Sequence, residues 1–198
     1  MMELAEQLRL LERKFSPNMV ELPRVQSPLD KTKQPPNNRG ADKMHSRGMN
    51  YANAYGELLR DRDPKRFVEL GVFTGVSLAM WCELYPHAEV VGLDVDLSRV
   101  NRVDLVNRGA FVNNEPQVFE WDAFDPQPLS VLENVDVFID DGPHVTEAVV
   151  KVAEFVRDRM APGGLFILED MRNGADILRE IFPQGKLFKH GMLNAVTL

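Results

Sequence analysis

The chain has 198 residues, the size of one domain, and its 44% hydrophobic content is typical of a protein with a packed core. Its net charge of −7 disfavours binding to nucleic-acid phosphates, so we expect no nucleic-acid partner. No segment approaches the roughly 18 consecutive apolar residues of a membrane helix, and the acidic start of the chain is unlike a secretory signal. We therefore expect a cytoplasmic protein without a membrane partner.

The N-terminal part of the chain is predicted to be a helix followed by an irregular segment. Apolar side chains recur at helical spacing over residues 2–15, which indicates an amphipathic helix. Residues 16–40 contain five prolines and predict a linker or a lid. We therefore divide the chain into an N-terminal helix and Pro-rich segment (residues 1–40) and one domain (residues 41–198). That domain begins with a further helix over residues 50–60.

From residue 66 onward, short apolar segments alternate with helix-like segments. Strands are predicted at residues 66–70, 89–93, 117–121, 135–139 and 164–168, and helices at 77–84, 98–108, 145–160 and 175–181. Such alternation of largely apolar strands with helices indicates an α/β fold with a doubly wound, Rossmann-like, mostly parallel sheet. Residues 186–190 and 194–198 predict two last strands joined as a hairpin, so that the final strand is antiparallel. We expect a minimal form of this fold, without a C-terminal substrate domain.

Ligands of open α/β sheets bind at the carboxyl ends of the strands, so the residues after each strand are candidates for a site. Gly71 and Gly75 follow the first strand at a Gly-x-x-x-Gly spacing, which differs from that of dinucleotide-binding folds. This spacing favours a ligand without a pyrophosphate. After the second strand, Asp94 can accept hydrogen bonds from both hydroxyls of a ribose. Asp122, after the third strand, lies where it can contact an adenine edge.

The residues at these strand ends also resemble a known family. The segment Glu69-Leu-Gly-Val-Phe-Thr-Gly resembles the first motif of class I methyltransferases, with Phe73 where many members have a glycine. Asp140-Asp-Gly-Pro-His144 and the pair Glu169-Asp170 resemble one branch of that family. This branch includes the macrolide-sugar O-methyltransferases of the macrocin and mycinamicin type and the cephalosporin hydroxylase-like proteins.

The segment before the first strand adds to the resemblance, which covers about residues 39–170. Residues 39–43, with His45, Tyr51 and Tyr55, are similar to the corresponding stretch of the same branch. The resemblance implies S-adenosylmethionine as the cofactor and a magnesium ion that assists methylation of a sugar hydroxyl. The residues expected to bind the cofactor are Glu69, Gly71, Phe73, Gly75, Asp94, Asp122 and Asp140.

Four acids are predicted at the ends of the fourth and fifth strands, and carboxylates this close need a cation or a proton. Oxygen ligands favour Mg²⁺ or another hard divalent ion. By resemblance, the ligands are Asp141, Glu169 and Asp170, with Asp140 contacting the cofactor or supporting a ligand. The alternative is that these acids are solvated or cap the next helix.

His144 is the candidate general base, beside Asp141, because imidazole titrates near neutral pH. The alternative is a surface or helix-capping histidine. Lys43 and His45 are further candidates for contacts of a lid or of the substrate.

The predicted function is therefore a magnesium-assisted O-methyltransferase acting on a small hydroxylated molecule such as a sugar or glycoside. Two alternatives stay open: a module that binds an adenosyl ligand without catalysis, and an oxygenase of the cephalosporin hydroxylase-like type. The oligomeric state is also open, since the N-terminal helix and Pro-rich segment can cover the site of a neighbouring copy in a homo-oligomer.

Overall fold

The computed structural model describes residues 2–16, 43–44 and 50–198. In these ranges, six α-helices accompany a sheet of seven strands. The helices are α1 (Leu4–Phe15), α2 (Ala52–Leu59), α3 (Val76–Leu84), α4 (Arg102–Asn107), α5 (Thr146–Arg157) and α6 (Gly174–Ile181). The strands are β1 (Arg66–Leu70), β2 (Glu89–Asp94), β3 (Gln117–Glu120), β4 (Val135–Asp140), β5 (Met160–Leu168), β6 (Lys186–His190) and β7 (Leu193–Thr197). None of the described helices is long and apolar enough to cross a membrane.

The strand order in the sheet is β3-β2-β1-β4-β5-β7-β6. Strands β1 to β5 pair in parallel, and β7 runs antiparallel to both of its neighbours, β5 and β6. This confirms the predicted Rossmann-like sheet with an antiparallel final strand. The order reverses between β1 and β4, and open α/β sheets bind their ligands beside such a reversal.

The central strands are buried on both faces because successive side chains point to opposite sides of a strand. Phe67, Ile139 and Ile167 belong to the apolar cluster that includes α1, α2 and α3. Their chain neighbours, such as Phe138 and Phe166, belong to the second cluster, with α5 and α6. We call these two sides of the sheet the α1–α3 face and the α5–α6 face. This alternation decides on which face each acid at a strand end projects.

Three predicted boundaries are wrong, one of them the end of α5, which lies at Arg157 and not at residue 160. The single helix over 98–108 is a 3-10 turn (Leu97–Arg99) followed by α4. The break has a local cause, since the Asn101 side chain accepts a hydrogen bond from the backbone N–H of Asp104 (3.2 Å) and caps α4. Strand β5 begins four residues before its prediction, at Met160, and a bulge separates its first pair with β4 from the regular pairing. The left-handed backbone of Gly163 (φ +76°) lies within this irregular part.

Helix α1 packs into the main body of the protein. Leu8, Leu11 and Phe15 are buried in the same cluster as α2 and α3. The buried Glu12 accepts a hydrogen bond from the backbone N–H of Met44 (2.8 Å), which ties α1 to residues 43–44. Residues 17–42 and 45–49, including His45, lie outside the described residues, so the division at residue 40 stays a prediction.

Candidate active site

The turn after β1 brings the ends of β1, β2 and β4 together. The backbone N–H of Gly71 donates to the carbonyl of Leu93 (2.8 Å), and the N–H of Asp141 donates to the carbonyl of Leu70 (2.9 Å). Gly71 has φ +92°, and a Cβ atom placed there would lie 2.0 Å from the carbonyl oxygen of Asp141. A side chain at position 71 is therefore incompatible with this close approach.

Asp94, at the end of β2, is hydrogen-bonded to the loop between β1 and α3. One Asp94 carboxylate oxygen accepts the backbone N–H of Phe73 (2.9 Å), and the other accepts that of Asp96 (3.0 Å). Phe73 has a left-handed backbone (φ 49°) and is 43% exposed, and Gly75 (φ +85°) is the N-cap residue of α3. A carboxylate oxygen can accept a second hydrogen bond, so this half-exposed acid fits a ligand that offers hydroxyl donors.

Asp122 lies at the end of β3, next to the end of β2. The Trp121 backbone N–H donates to the carbonyl of Asp94 (2.9 Å). Asp122 is exposed, and its carboxylate accepts the N–H of Phe124 (2.8 Å). The structure therefore brings the predicted cofactor residues Gly71, Phe73, Gly75, Asp94 and Asp122 to one edge of the sheet.

Asp140 projects from the opposite face to the other acids. It pairs with Leu70 and Leu168, both of which belong to the cluster on the α5–α6 face. One of its carboxylate oxygens accepts the N–H of Gly142 (3.1 Å), and the other is buried without a partner among the described residues. Burial raises the pKa of Asp140 to about 7. Its role as a cofactor contact stays a prediction.

On the α1–α3 face, three acids surround the ammonium group of Lys43. Its Nζ lies 2.9 Å from Glu69, 3.1 Å from Asp141 and 3.0 Å from Glu169. We call Glu69 and Glu169 the inner acids, since both are buried. Burial alone would lower the pKa of Lys43, but the carboxylates of Asp141, Glu169 and Glu69 raise it above its usual range. The lysine is therefore charged.

Hydroxyl groups complete the hydrogen bonding of the inner acids. Ser77 donates to Glu69 (2.9 Å), and Tyr55 donates to Glu169. Burial, and then the charge of Asp141, raise the pKa of Glu169. In this structure, the predicted metal ligand Glu169 therefore contacts the ammonium group of Lys43 and the hydroxyl of Tyr55.

A second group of side chains lies nearer to solvent. Asp141, His144 and Asp170 place one potential ligand atom each within 4.8 Å of one another. The His144 Nε2 atom is 3.7 Å from Asp141 and 3.9 Å from Asp170, and the three side chains are 24–34% exposed. His144 and Asp170 both have left-handed backbones (φ 54° and 56°), a strained conformation that is found preferentially at functional sites. We call these three residues the outer cluster.

Some residues of the site have roles that the sequence did not reveal. Tyr51 donates to Asp170 (2.6 Å), as Tyr55 does to Glu169. The spacing of four places both tyrosines on one side of the α2 region, a signal that could have been used. No local pattern predicts that the Lys43 ammonium lies between three strand ends.

The sequence and the fold were compared with known proteins. Residues 68–171, more than half of the chain, match a family described as "Methyltransferase domain". The chain is 32% identical over 105 residues to the 8-demethyl-8-alpha-L-rhamnosyl tetracenomycin-C 2'-O-methyltransferase of Streptomyces olivaceus, covering 50% of this chain and 24% of that protein. It is 28% identical over 118 residues to the mycinamicin VI 2''-O-methyltransferase of Micromonospora griseorubida, covering 54% and 27%. The chain thus spans about a quarter of the length of these relatives.

Solved structures show the same fold. The MycE methyltransferase of the mycinamycin pathway, in complex with Mg, SAH and mycinamycin VI, superposes with a TM-score of 0.56 at 20% sequence identity. That match covers 74% of this chain and 49% of the MycE chain. The family match spans the first motif and both acidic motifs, and it confirms the resemblance found in the sequence: the chain belongs to the methyltransferase domain family.

Proposed function

We propose that this chain is an S-adenosylmethionine-dependent O-methyltransferase that modifies a hydroxyl of a small molecule such as a sugar or glycoside, assisted by a divalent ion. The observation that carries the proposal is the outer cluster, which lies beside the loop of Gly71 and Asp94. A ligand site and a candidate metal site therefore share one edge of the sheet. The named relatives and the magnesium in MycE support the same reaction class.

The side chains fit the two groups that the reaction needs. Asp94 keeps acceptor capacity next to a loop without a phosphate-binding glycine pattern, which suits a ribose hydroxyl pair. Asp141 and Asp170 offer carboxylate oxygens, the ligand type that Mg²⁺ prefers. When bound, S-adenosylmethionine supplies a methyl group on a positively charged sulfur, and a divalent ion supplies charge that makes a hydroxyl more acidic.

The residues of the chain have separate tasks in this proposal. Asp94 holds the ribose, while Asp141 and Asp170 hold the ion and orient the acceptor hydroxyl. The Nε2 atom of His144 lies beyond hydrogen-bonding distance of both carboxylates, so it is free to take the hydroxyl proton as the oxygen attacks the methyl carbon. Transfer from bound S-adenosylmethionine would break the bond between the methyl carbon and sulfur and leave its electron pair on sulfur.

The oxygenase alternative is less favoured by this ligand set. Non-haem iron oxygenases hold their metal with two histidines and one carboxylate. The outer cluster has the opposite composition, with one imidazole and two carboxylates. A module that binds without catalysis would retain S-adenosylmethionine unchanged with every acceptor that is tried.

The cofactor assignment predicts a strong effect of Asp94→Ala. Removing hydrogen bonds to a charged acceptor costs about 1.5–3 kcal/mol each, so the affinity for S-adenosylmethionine and its demethylated product should fall by about a hundredfold or more. Calorimetry measures this, with Asp158→Ala at an exposed position after α5 as the matched control. Equal binding by wild type and Asp94→Ala would remove the assignment. Tighter binding of NADH than of either adenosyl ligand would overturn the proposed function.

The metal assignment predicts stabilisation by magnesium. At a concentration of about 100 times its dissociation constant, an ion that binds only the folded state adds about 2.7 kcal/mol to the free energy of unfolding. Mg²⁺ should therefore raise the melting temperature, and EDTA should reverse the gain. The double variant D141N/D170N should lose this response, whereas D158N/D176N, which neutralises two exposed acids, should keep it. A response that survives in D141N/D170N would place the ion elsewhere.

A further inference from the structure

Lys43 is a buried cation inside a group of acids. Its side chain is 8% exposed, and its ammonium contacts carboxylates at the ends of three strands, β1, β4 and β5. An ammonium group has three N–H donors, which matches the three carboxylates that surround it. Glu169 and one oxygen of Asp141 are therefore already engaged by a positive charge that belongs to the protein.

Hydrogen bonds with Tyr51 and with Glu12 of α1 hold the main chain around Lys43. The carbonyl of Lys43 accepts the backbone N–H of Tyr51 (2.9 Å), just before α2. The next residue, Met44, is fully buried and donates its N–H to Glu12 of α1 (2.8 Å). These contacts lie outside the acid cluster, and they anchor the backbone from which the ammonium group reaches the three strand ends.

We propose that Lys43 is a positioning residue that acts as the resident cation of the inner acids. It keeps Glu169 and the inner oxygen (Oδ2) of Asp141 away from the divalent ion and leaves Asp141 Oδ1 and Asp170 to bind it. This inference rests on the proposed function, because it assumes a divalent ion at the outer cluster. The predicted ion site of Asp141, Glu169 and Asp170 is thereby replaced by two adjacent cation positions, one of which the lysine occupies.

The charges make a specific consequence of this arrangement measurable. The ammonium repels a divalent ion that shares Asp141 with it, and it neutralises the acids that would otherwise attract the ion. Removing the ammonium should therefore strengthen ion binding. It should also allow Glu169, now without its cation, to contribute to that binding.

The test is calorimetric titration of the full chain with Mn²⁺. Lys43→Met should tighten Mn²⁺ binding by about tenfold or more, since one like charge within a few ångströms has been removed. Lys43→Arg should bind Mn²⁺ with about the wild-type affinity, because it keeps the positive charge. Lys186→Met is the matched control: Lys186 is exposed and begins β6, an outermost strand of the sheet, away from the ends of β1, β4 and β5, so its loss should leave Mn²⁺ affinity unchanged. Unchanged or weaker binding by folded Lys43→Met would overturn the proposal.

A double-mutant cycle tests the part played by Glu169. Glu169→Gln should weaken Mn²⁺ binding more in the Lys43→Met background than in wild type, and an equal or larger effect in wild type would contradict the inference. Circular dichroism first establishes that Lys43→Met is folded. If it is not, the double variant Lys43→Met/Glu69→Gln replaces it, because this variant buries one negative charge fewer than Lys43→Met. This double variant should bind Mn²⁺ more tightly than Glu69→Gln alone does. An equal or lower affinity would contradict the inference.

The outcomes separate this inference from the proposed function. A wild-type chain that binds S-adenosylmethionine but no Mn²⁺ would overturn the role of Lys43 and leave the methyltransferase assignment. A wild-type chain that binds Mn²⁺ as described but no adenosyl ligand would overturn the proposed function, while the effect of Lys43 on the ion would stand.

Discussion

His144→Ala should lower the rate of methyl transfer by about 10²–10⁴-fold while leaving S-adenosylmethionine binding almost unchanged. The imidazole lies beside both carboxylates of the outer cluster but is bonded to neither, which is the position required of a group that takes the acceptor proton. Single-turnover methyl transfer measured across a range of pH is the appropriate experiment, once an acceptor has been identified.

Two further variants make this prediction specific. The left-handed backbone of His144 favours asparagine among the residues without a basic side chain, so His144→Asn removes the base with less strain than His144→Ala. His87, exposed in the segment before β2, provides the control, and His87→Ala should react at the wild-type rate. A His144 variant with a near-normal rate and an unchanged pH profile would contradict the role of general base and show that His144 only forms a turn. A variant that has lost Mn²⁺ binding would instead identify His144 as a metal ligand.

Gly71→Ala should destabilise the protein by about 2–6 kcal/mol, the combined cost of a strained backbone and a steric clash. Small domains are stable by only about 5–15 kcal/mol, so this is a large part of the total. The new Cβ would lie 2.0 Å from the carbonyl oxygen of Asp141. Gly71 and Asp141 follow β1 and β4 directly, and their N–H groups are hydrogen-bonded to Leu93 and Leu70, so the end of one of these strands must move. Urea unfolding measures the loss.

The matched control for Gly71→Ala is Gly163→Ala. Gly163 also has a left-handed backbone (φ +76°), but a Cβ placed there meets nothing within 4 Å. Its substitution should cost only the backbone strain, so the difference between the two variants isolates the clash. If both variants were equally stable, the close approach of β1 and β4 would not depend on glycine.

The sequence predicted the sheet well because its strands are apolar runs buried on both faces. Six strands lie within one residue of their predicted bounds, and β5 differs only in its earlier start. The glycines and acids that follow β1, β2 and β3 meet at one edge, as expected for parallel strands. The break at Asn101 was missed because a capping side chain overrode the helical pattern around it.

The arrangement of the acids was harder to predict, although each of them was identified. Asp140 ends β4 and Asp141 follows it, so their side chains project from opposite faces of the sheet. Two adjacent acids in a sequence do not show this unless the end of the strand is known. The contact of Lys43 with Glu169 joins residues that no local signal connects. Sequence motifs therefore identified the acids, whereas their division into inner acids and outer cluster required the tertiary structure.

The two tyrosines of the site also constrain the order in which the protein can assemble. The hydrogen bonds of Tyr55 and Tyr51 to Glu169 and Asp170 span 114 and 119 residues. Contacts of such sequence separation close large loops, at a cost in chain entropy, and they slow folding. During synthesis, Lys43 and both tyrosines leave the ribosome long before the end of β5 exists. Until β5 joins the sheet, Lys43 lacks its partner Glu169, and the proposed ion site lacks Asp170.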